Sequence, residues 1–305
     1  MTYHRPVLLE NSVDGLITDP SGVYVDCTFG GGGHSREILE RLSSEGKLYA
    51  FDQDADAVAN NLQDSRFQLI QQNFRYLKNY LRFYGVSQVD GVLADLGVSS
   101  HQFDTAERGF STRFEGDLDM RMNQNQKRTA ATLLNELSEH DLAVIFRNYG
   151  ELTAAKKWVR MVVEQRAKKP FDTISSLKSL IEPHISPNKR NKFFAQLFQA
   201  LRIEVNEEMH ALEELLLQTK DIIKPGGRLV VISYHSLEDR MVKRYMKTGL
   251  FAGEPERDLY GNYYTPFEVL QNKVIIPEDE EIESNPRARS AKMRIATRKN
   301  DTNNI

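Results

Sequence analysis

"VYVDCTFGGGGHSREIL", Val23 to Leu39, sets an apolar run, four consecutive glycines and a helix-forming stretch in direct succession. The β-branched and aromatic residues at its front read as a strand, and Ser35 to Leu42 read as a helix that opens at the glycines. A glycine turn between them lets a ligand approach the backbone, because no Cβ stands in the way. Asp52 ends the next apolar run, 20 residues beyond Gly32, where a carboxylate can bond ribose hydroxyls.

Working outward, "KLYAFD" (47–52), "FQLIQ" (67–71) and "DGVLADL" (90–96) read as further strands, with a helix expected over Ala55 to Leu62. Strands alternating with helical stretches make βαβ units on a parallel sheet, so the fold class is α/β. After Leu96 the alternation stops. Residues 115–200 read as short helices, broken around Pro170, Pro183 and Pro187. Phe194, Leu197, Phe198, Leu201, Val205, Met209, Leu212 and Leu215 then repeat at three and four residues, which predicts one long helix ending before "KPGG". "RLVVISYHS" (228–236) resumes strand character, and "NKVIIP" and "KMRIATR" supply two more strands. The acidic "PEDEEIES" (277–284) reads as a mobile, solvated loop. The expected organisation is a discontinuous sheet domain, 1–114 with 201–305, interrupted by an all-helical insertion at 115–200.

A dinucleotide and S-adenosylmethionine (SAM) can both use a glycine turn followed by an acidic strand end. "GGGGH" is not the G-x-G-x-x-G of a dinucleotide site, and SAM needs no pyrophosphate cradle. Asp26 lies just before the turn, where a carboxylate could face the amino or sulfonium charge. Asp95 ends the fourth strand at the sheet edge where a reacting group would sit. These features favour SAM.

Composition narrows the partners. No run of eighteen apolar residues is present, and "MTYHRPVLLE" lacks the basic start and apolar core of a signal peptide, so a cytoplasmic protein is expected. Cys27 is the single cysteine and the seven histidines show no ligand spacing, so neither a disulfide nor a metal is expected. The net charge of −3 is unevenly spread: Arg121 to Val205 holds 15 Lys and Arg against 8 Asp and Glu. The tail from Asn285 to Lys299 carries six basic residues and no acidic one. Such blocks suit a phosphate backbone, or form a solvated helix face.

Taken together, "HRPVLLEN", "DCTFGGGGHS", "DGVLADLGVSSHQFD", "ERGFS", "LDMRM", "FQALRIEVN", "GGRLVVISYHSLEDRMVKRY" and "NPRARSAKMR" resemble the bacterial MraW family. The matches run from His4 to Arg294 in family order. The resemblance implies a Rossmann-like class I SAM-dependent methyltransferase acting on N4 of one cytidine in the decoding region of 16S ribosomal RNA, within the assembled small subunit. It implies a SAM site made by Gly32, Gly33, His34, Asp52, Phe74, Asp95 and Gln102. Two departures stand out. The family's Gly-Pro-Leu-Asp is here Gly116-Asp117-Leu118-Asp119, and its His-Pro before the "FQALRI" helix is replaced by "NKFFAQ".

Methyl transfer to an exocyclic amine needs acceptors for its hydrogens, because the nitrogen lone pair is delocalised into the ring. Asp95, Ser99 and Ser100 after the fourth strand, and Ser233, His235 and Ser236 after the fifth, are the candidates. Asp95, Ser233 and His235 are the catalytic expectation, with a hydrogen-bonded histidine at a strand end as the plain alternative for His235. C5 methylation would need an attacking thiolate, and Cys27 sits inside the first strand. Arg147, Tyr149, Trp158, Arg160, Lys168, Lys169, Lys189, Arg190 and Lys192 are the insertion's candidates for holding RNA, although Trp158 also suits a helix core. A nucleotide-dependent oxidoreductase and an inactive RNA-associated assembly factor are the rival readings. The oligomeric state is open, with a homodimer as the expectation.

Overall fold

The computed structural model describes residues 5–300 apart from 258, 262, 271 and 272. His4, the first residue of the "HRPVLLEN" match, and Asn272, the first of "NKVIIP", lie outside the described residues. The chain forms two compact units: 1–97 with 209–305, and 98–208. The changes fall at Gly97/Val98 and Glu208/Met209, earlier than residue 114 on the way in and later than residue 200 on the way out.

In chain order the elements begin α1 (Leu9–Leu16), β1 (Val23–Asp26), α2 (Gly33–Arg41), β2 (Lys47–Phe51), β3 (Phe67–Ile70), α3 (Leu77–Phe83) and β4 (Val89–Asp95). The second unit holds α4 (Ser100–Asp104), α5 (Ala130–Glu136), α6 (Glu139–Asn148), α7 (Ala155–Arg166), α8 (Ile174–Ile181) and α9 (Pro187–Asn206). Then follow α10 (Glu208–Ile222), β5 (Ile223–Ser233), α11 (Ser236–Thr248), β6 (Phe267–Val269), α12 (Asp279–Ser284) and β7 (Lys292–Arg298).

The seven strands form one sheet in the order β3-β2-β1-β4-β5-β7-β6. β1 to β5 are mutually parallel, and β7 runs antiparallel to both β5 and β6. Register aligns the carboxyl ends: Asp26 pairs with Leu93, and Asp95 with Ile232. Tyr24, Leu48, Leu93, Val230 and Ile232 of the strands bury against Leu16 and Ile38 of the helices. The helical unit has its own core, built on Leu134, Phe146, Val159, Leu177, Leu197 and Leu201. Trp158 belongs to that core, edge-on to Phe193 at 4.8 Å.

Four local expectations need correction. The edge strand is Phe267–Val269; of "NKVIIP", Ile275 makes only an isolated bridge to Met293. Phe267 is buried against the Tyr245 ring, whereas the other run pairs only through Ile275, and its neighbour Ile276 is 61% exposed. The long helix is two helices, α9 and α10, with Glu207 between them in a left-handed conformation (φ 52°). Asn206 is the neighbouring anchor: its Oδ1 accepts from Met122 N at 2.7 Å, and its Nδ2 donates to Met120 O at 2.8 Å. Ala55–Asn60 is a 3₁₀ helix capped by the Asp54 side chain rather than an α-helix reaching Leu62. The acidic loop contains α12, whose Glu281 accepts from Leu8 N at 2.8 Å. Acidic residues in its first turn complement the helix N-terminus.

Candidate active site at the strand ends

β1 ends on Asp26, which has no exposed surface. Its Oδ1 accepts from Thr28 N at 3.0 Å and its Oδ2 from the Ser35 hydroxyl at 2.7 Å. The carboxylate therefore latches the glycine turn to α2 instead of facing a ligand as expected. Thr28 Oγ1 in turn accepts from Asp95 N at 2.7 Å, tying the ends of β1 and β4 together. Burial, reinforced by the Asp26 charge, holds the Cys27 thiol well above its usual range, so no thiolate is available for C5 chemistry.

The glycines answer first to the protein itself. Gly30 and Gly32 take left-handed φ angles of 51° and 75°. A Cβ on Gly32 would sit 2.9 Å from the Phe29 ring, and one on Gly33 would sit 2.2 Å from Pro6 Cγ. Pro6 and Phe29 thus fill the space that those two absent side chains leave. The Gly30 N–H donates to Asp52 Oδ2 at 2.8 Å, and Asp54 N donates to Oδ1 at 2.8 Å. Burial pushes the Asp52 carboxyl up to about 6, with help from Asp54 and Asp26 and against these two backbone bonds.

His34, in the first turn of α2, is buried. Its Nε2 donates to Val7 O at 3.3 Å, since a carbonyl can only accept, and its Nδ1 lies 3.8 Å from Asp95 Oδ2. Asp95 Oδ1 accepts from the Tyr234 hydroxyl at 2.8 Å. Burial raises the Asp95 carboxyl to about 6, opposed by His34 and by the Tyr234 bond, although its side chain keeps 22% of its surface open. Phe74 is half-buried in a 3₁₀ turn capped by Asn73, whose amide donates to Gln53 just beyond β2 at 2.9 Å.

After β5 the expected acceptors have other partners. The buried Ser233 hydroxyl donates to Lys292 O at 3.2 Å. His235 is the N-cap of α11: its Nδ1 accepts from Glu238 N at 3.3 Å, and its Nε2 lies 3.2 Å from Glu238 Oε1. Glu238 Oε2 accepts from Tyr234 N at 2.8 Å and His235 N at 3.2 Å. Tyr234 is the residue that the sequence reading passed over. The His-x-x-Glu spacing ahead of an amphipathic helix was its available signal, because a capping box there fixes the turn that carries Tyr234.

In the helical unit, Gln102 is buried in the capping box of α4. Its Oε1 accepts from Ser99 N at 3.1 Å and its N donates to Ser99 Oγ at 3.2 Å. Asp119 grips Arg121 with both carboxylate oxygens, at 2.8 and 2.7 Å. Asp117 is exposed, and its backbone bridges to Thr173. Lys156, Lys157, Arg160, Lys168, Lys169, Lys189 and Lys192 are exposed.

Carboxylates at the ends of β2 and β4 make this edge hostile to a pyrophosphate and suited to a ligand with hydroxyls and positive charge. Asp52 and Asp95 set two carboxylates beside the glycine turn. A parallel sheet closed by an antiparallel β7 lying between β5 and β6, with that acidic edge, is a class I methyltransferase fold. The chain belongs to the MraW methylase family, whose pattern matches residues 1–299. It is 59% identical to a ribosomal RNA small subunit methyltransferase H of Christiangramia forsetii, over 97% of this chain and 98% of that one. A protein of the same name from Flavobacterium johnsoniae is 58% identical with the same coverage. Among solved structures, an rRNA methylase from Streptococcus thermophilus aligns at TM-score 0.43 and 13% identity, covering 98% of this chain and 99% of that one, too distant to bear on the site.

Proposed function

We propose that this protein transfers the methyl group of SAM to the exocyclic N4 of a single cytidine, the equivalent of cytidine 1402, in the decoding region of 16S ribosomal RNA. The substrate would be the assembled small subunit. The names of its relatives support the RNA class, and the acidic strand ends support the cofactor. Asp95 carries the chemical reading: a carboxyl at about 6, part-open at the end of β4, is a better proton acceptor than an ordinary aspartate and is still charged at neutral pH.

SAM supplies an activated methyl group on a sulfonium that leaves readily. The chain's own residues provide alignment and proton handling, and alignment alone can account for roughly 7–11 kcal/mol of barrier reduction. Asp52 would hold the ribose hydroxyls, Phe74 would lie against the adenine, and the turn of Gly32, Gly33 and His34 would border the cofactor. Asp95 would accept from the N4 amino group, draw out its lone pair and take its proton. Ser233 and His235 are assigned to holding the turn that carries Tyr234, leaving Asp95 as the catalytic acceptor of the three. Lys156, Lys157 and Arg160 of α7, with Lys168 and Lys169 beyond it, would contact RNA phosphates, so the helical unit is the substrate-recognition unit. A homodimer is the proposed assembly.

The test is methyl transfer from labelled SAM to small subunits lacking their own modification, and to naked rRNA, with the product nucleoside identified by mass spectrometry. N4-methylcytidine at one decoding-region position is the expected result. Label on another atom or another RNA would replace the substrate assignment, and tight SAM binding with no transfer would overturn the activity.

A further inference from the structure

The two oxygens of Asp95 have different neighbours. Oδ1 accepts the Tyr234 hydroxyl at 2.8 Å, while Oδ2 faces His34 Nδ1 at 3.8 Å. Tyr234 is held from two sides. Its backbone N donates to Glu238 Oε2 at 2.8 Å, and its ring lies against Gly97, where φ is 105° and a Cβ would stand 3.3 Å from Tyr234 Cδ2. Burial, with the charges of Asp95, Glu238 and Glu281, keeps the phenol protonated far beyond neutral pH, so it remains a donor. His34 Nε2 is committed to Val7 O, which leaves Nδ1 as the ring nitrogen facing Oδ2.

We propose that Tyr234 is a positioning residue for methyl transfer: by occupying Oδ1 it leaves Oδ2 as the acceptor of the proton that the substrate amine loses, with His34 Nδ1 as the next acceptor. The inference rests on the methyl-transfer reading above. As the new N–C bond forms, the electron pair of the breaking S–C bond stays with sulfur. The proton leaves nitrogen for Asp95 Oδ2, which restores the nitrogen lone pair. It passes on to His34 Nδ1, making an imidazolium beside a carboxylate, and leaves to solvent when the product departs. The other charged groups that act on Asp95 are Asp26 and Glu238; both are anionic and favour the proton's stay on the pair.

Tyr234→Phe keeps the ring against Gly97 and removes only the hydrogen bond. In the free protein, the carboxyl band of Asp95, assigned by its loss in Asp95→Asn, is followed by isotope-edited infrared titration. The expected result is a midpoint about one pH unit higher in Tyr234→Phe, because a bond to the charged form is gone. The acid limb of kcat against pH should move by the same amount. kcat should fall about tenfold near pH 5 and about twofold at pH 7, and recover as pH rises, with KM for SAM within about twofold. His34→Gln can still donate to Val7 O but cannot take a proton, and should lower kcat at every pH. An unmoved band and limb, or a loss confined to KM for SAM, would overturn the role of Tyr234; an unchanged kcat in His34→Gln would overturn the relay. If the wild type methylates no RNA, the function assignment fails on its own, and the infrared titration still decides whether Tyr234 controls Asp95.

Discussion

The helical unit commits its buried polar groups to main chain, while the sheet unit does so and also keeps two raised carboxyls at its strand ends. In the helical unit they are occupied by main chain: Asn206 bonds Met122 N, Met120 O and Arg202 O, and Arg108 donates to the carbonyls of Arg121 and Met122. In the sheet unit, Asp52 and Asp95 stand at strand ends with carboxyls held near 6, and Asp95 is part-open. The first arrangement holds an irregular stretch, including the left-handed Met120, in one shape. The second keeps groups that gain by meeting a cation or an amine. A carboxylate that burial disfavours is a cost to folding and a resource for chemistry.

The sharpest break in this comparison comes from Asp95→Asn, which keeps the size and removes the charge. Methyl transfer should fall by a hundredfold or more, on the order expected for loss of a general base, as read by single-turnover assay. Its effect on stability should have the opposite sign. A carboxyl raised in the folded state contributes stability that is complete below its unfolded pKa and is lost as pH rises through about 6. The substitution should therefore flatten the decline in urea midpoint between about pH 4 and 7. The gain is on the order of 1–2 kcal/mol, at the low end because the side chain is part-open. A steeper decline would contradict the raised carboxyl.

Asn206→Ala tests the other unit. It leaves Met122 N and Met120 O buried without their partner and should destabilise the protein by about 2–3 kcal/mol in urea unfolding. If the loss is a few tenths, the Asn206 bonds do not hold the "LDMRM" stretch. The smallest effect belongs to the exposed cations. Reversing Lys168 and Lys169 to Glu should raise KM for RNA severalfold, leave kcat and the melting temperature unchanged, and fade in high salt. A change in kcat at saturating RNA would mean that these lysines do more than hold phosphates.

Much of the sheet was legible because each strand carries its own evidence: β7 matches "KMRIATR" to the residue, and β1 to β5 fall within or around the expected runs. The errors arose where a remote partner decides. Periodicity runs unbroken across Glu207 because both helices bury the same spacing of apolar residues, while the break accompanies side-chain bonds from Asn206 to residues more than 80 positions away. The glycine turn was located correctly, but the need for glycine at position 33 comes from Pro6. His235 looked like an acceptor because chemistry-bearing residues attract that reading, whereas its imidazole caps a helix.

The sequence alone determined the α/β class, the glycine turn after β1, the acidic ends of β2 and β4 and the family resemblance. All of these depend on residue type and spacing within one element and its flanking turn. Tertiary structure alone decided which oxygen of Asp95 is occupied. Tyr234 lies 139 positions away and reaches Asp95 because β4 and β5 are paired in register and Glu238 closes the turn beyond β5. Hydrophobic periodicity specifies which face of an element is buried. It carries no information about which two polar groups meet once those faces have packed.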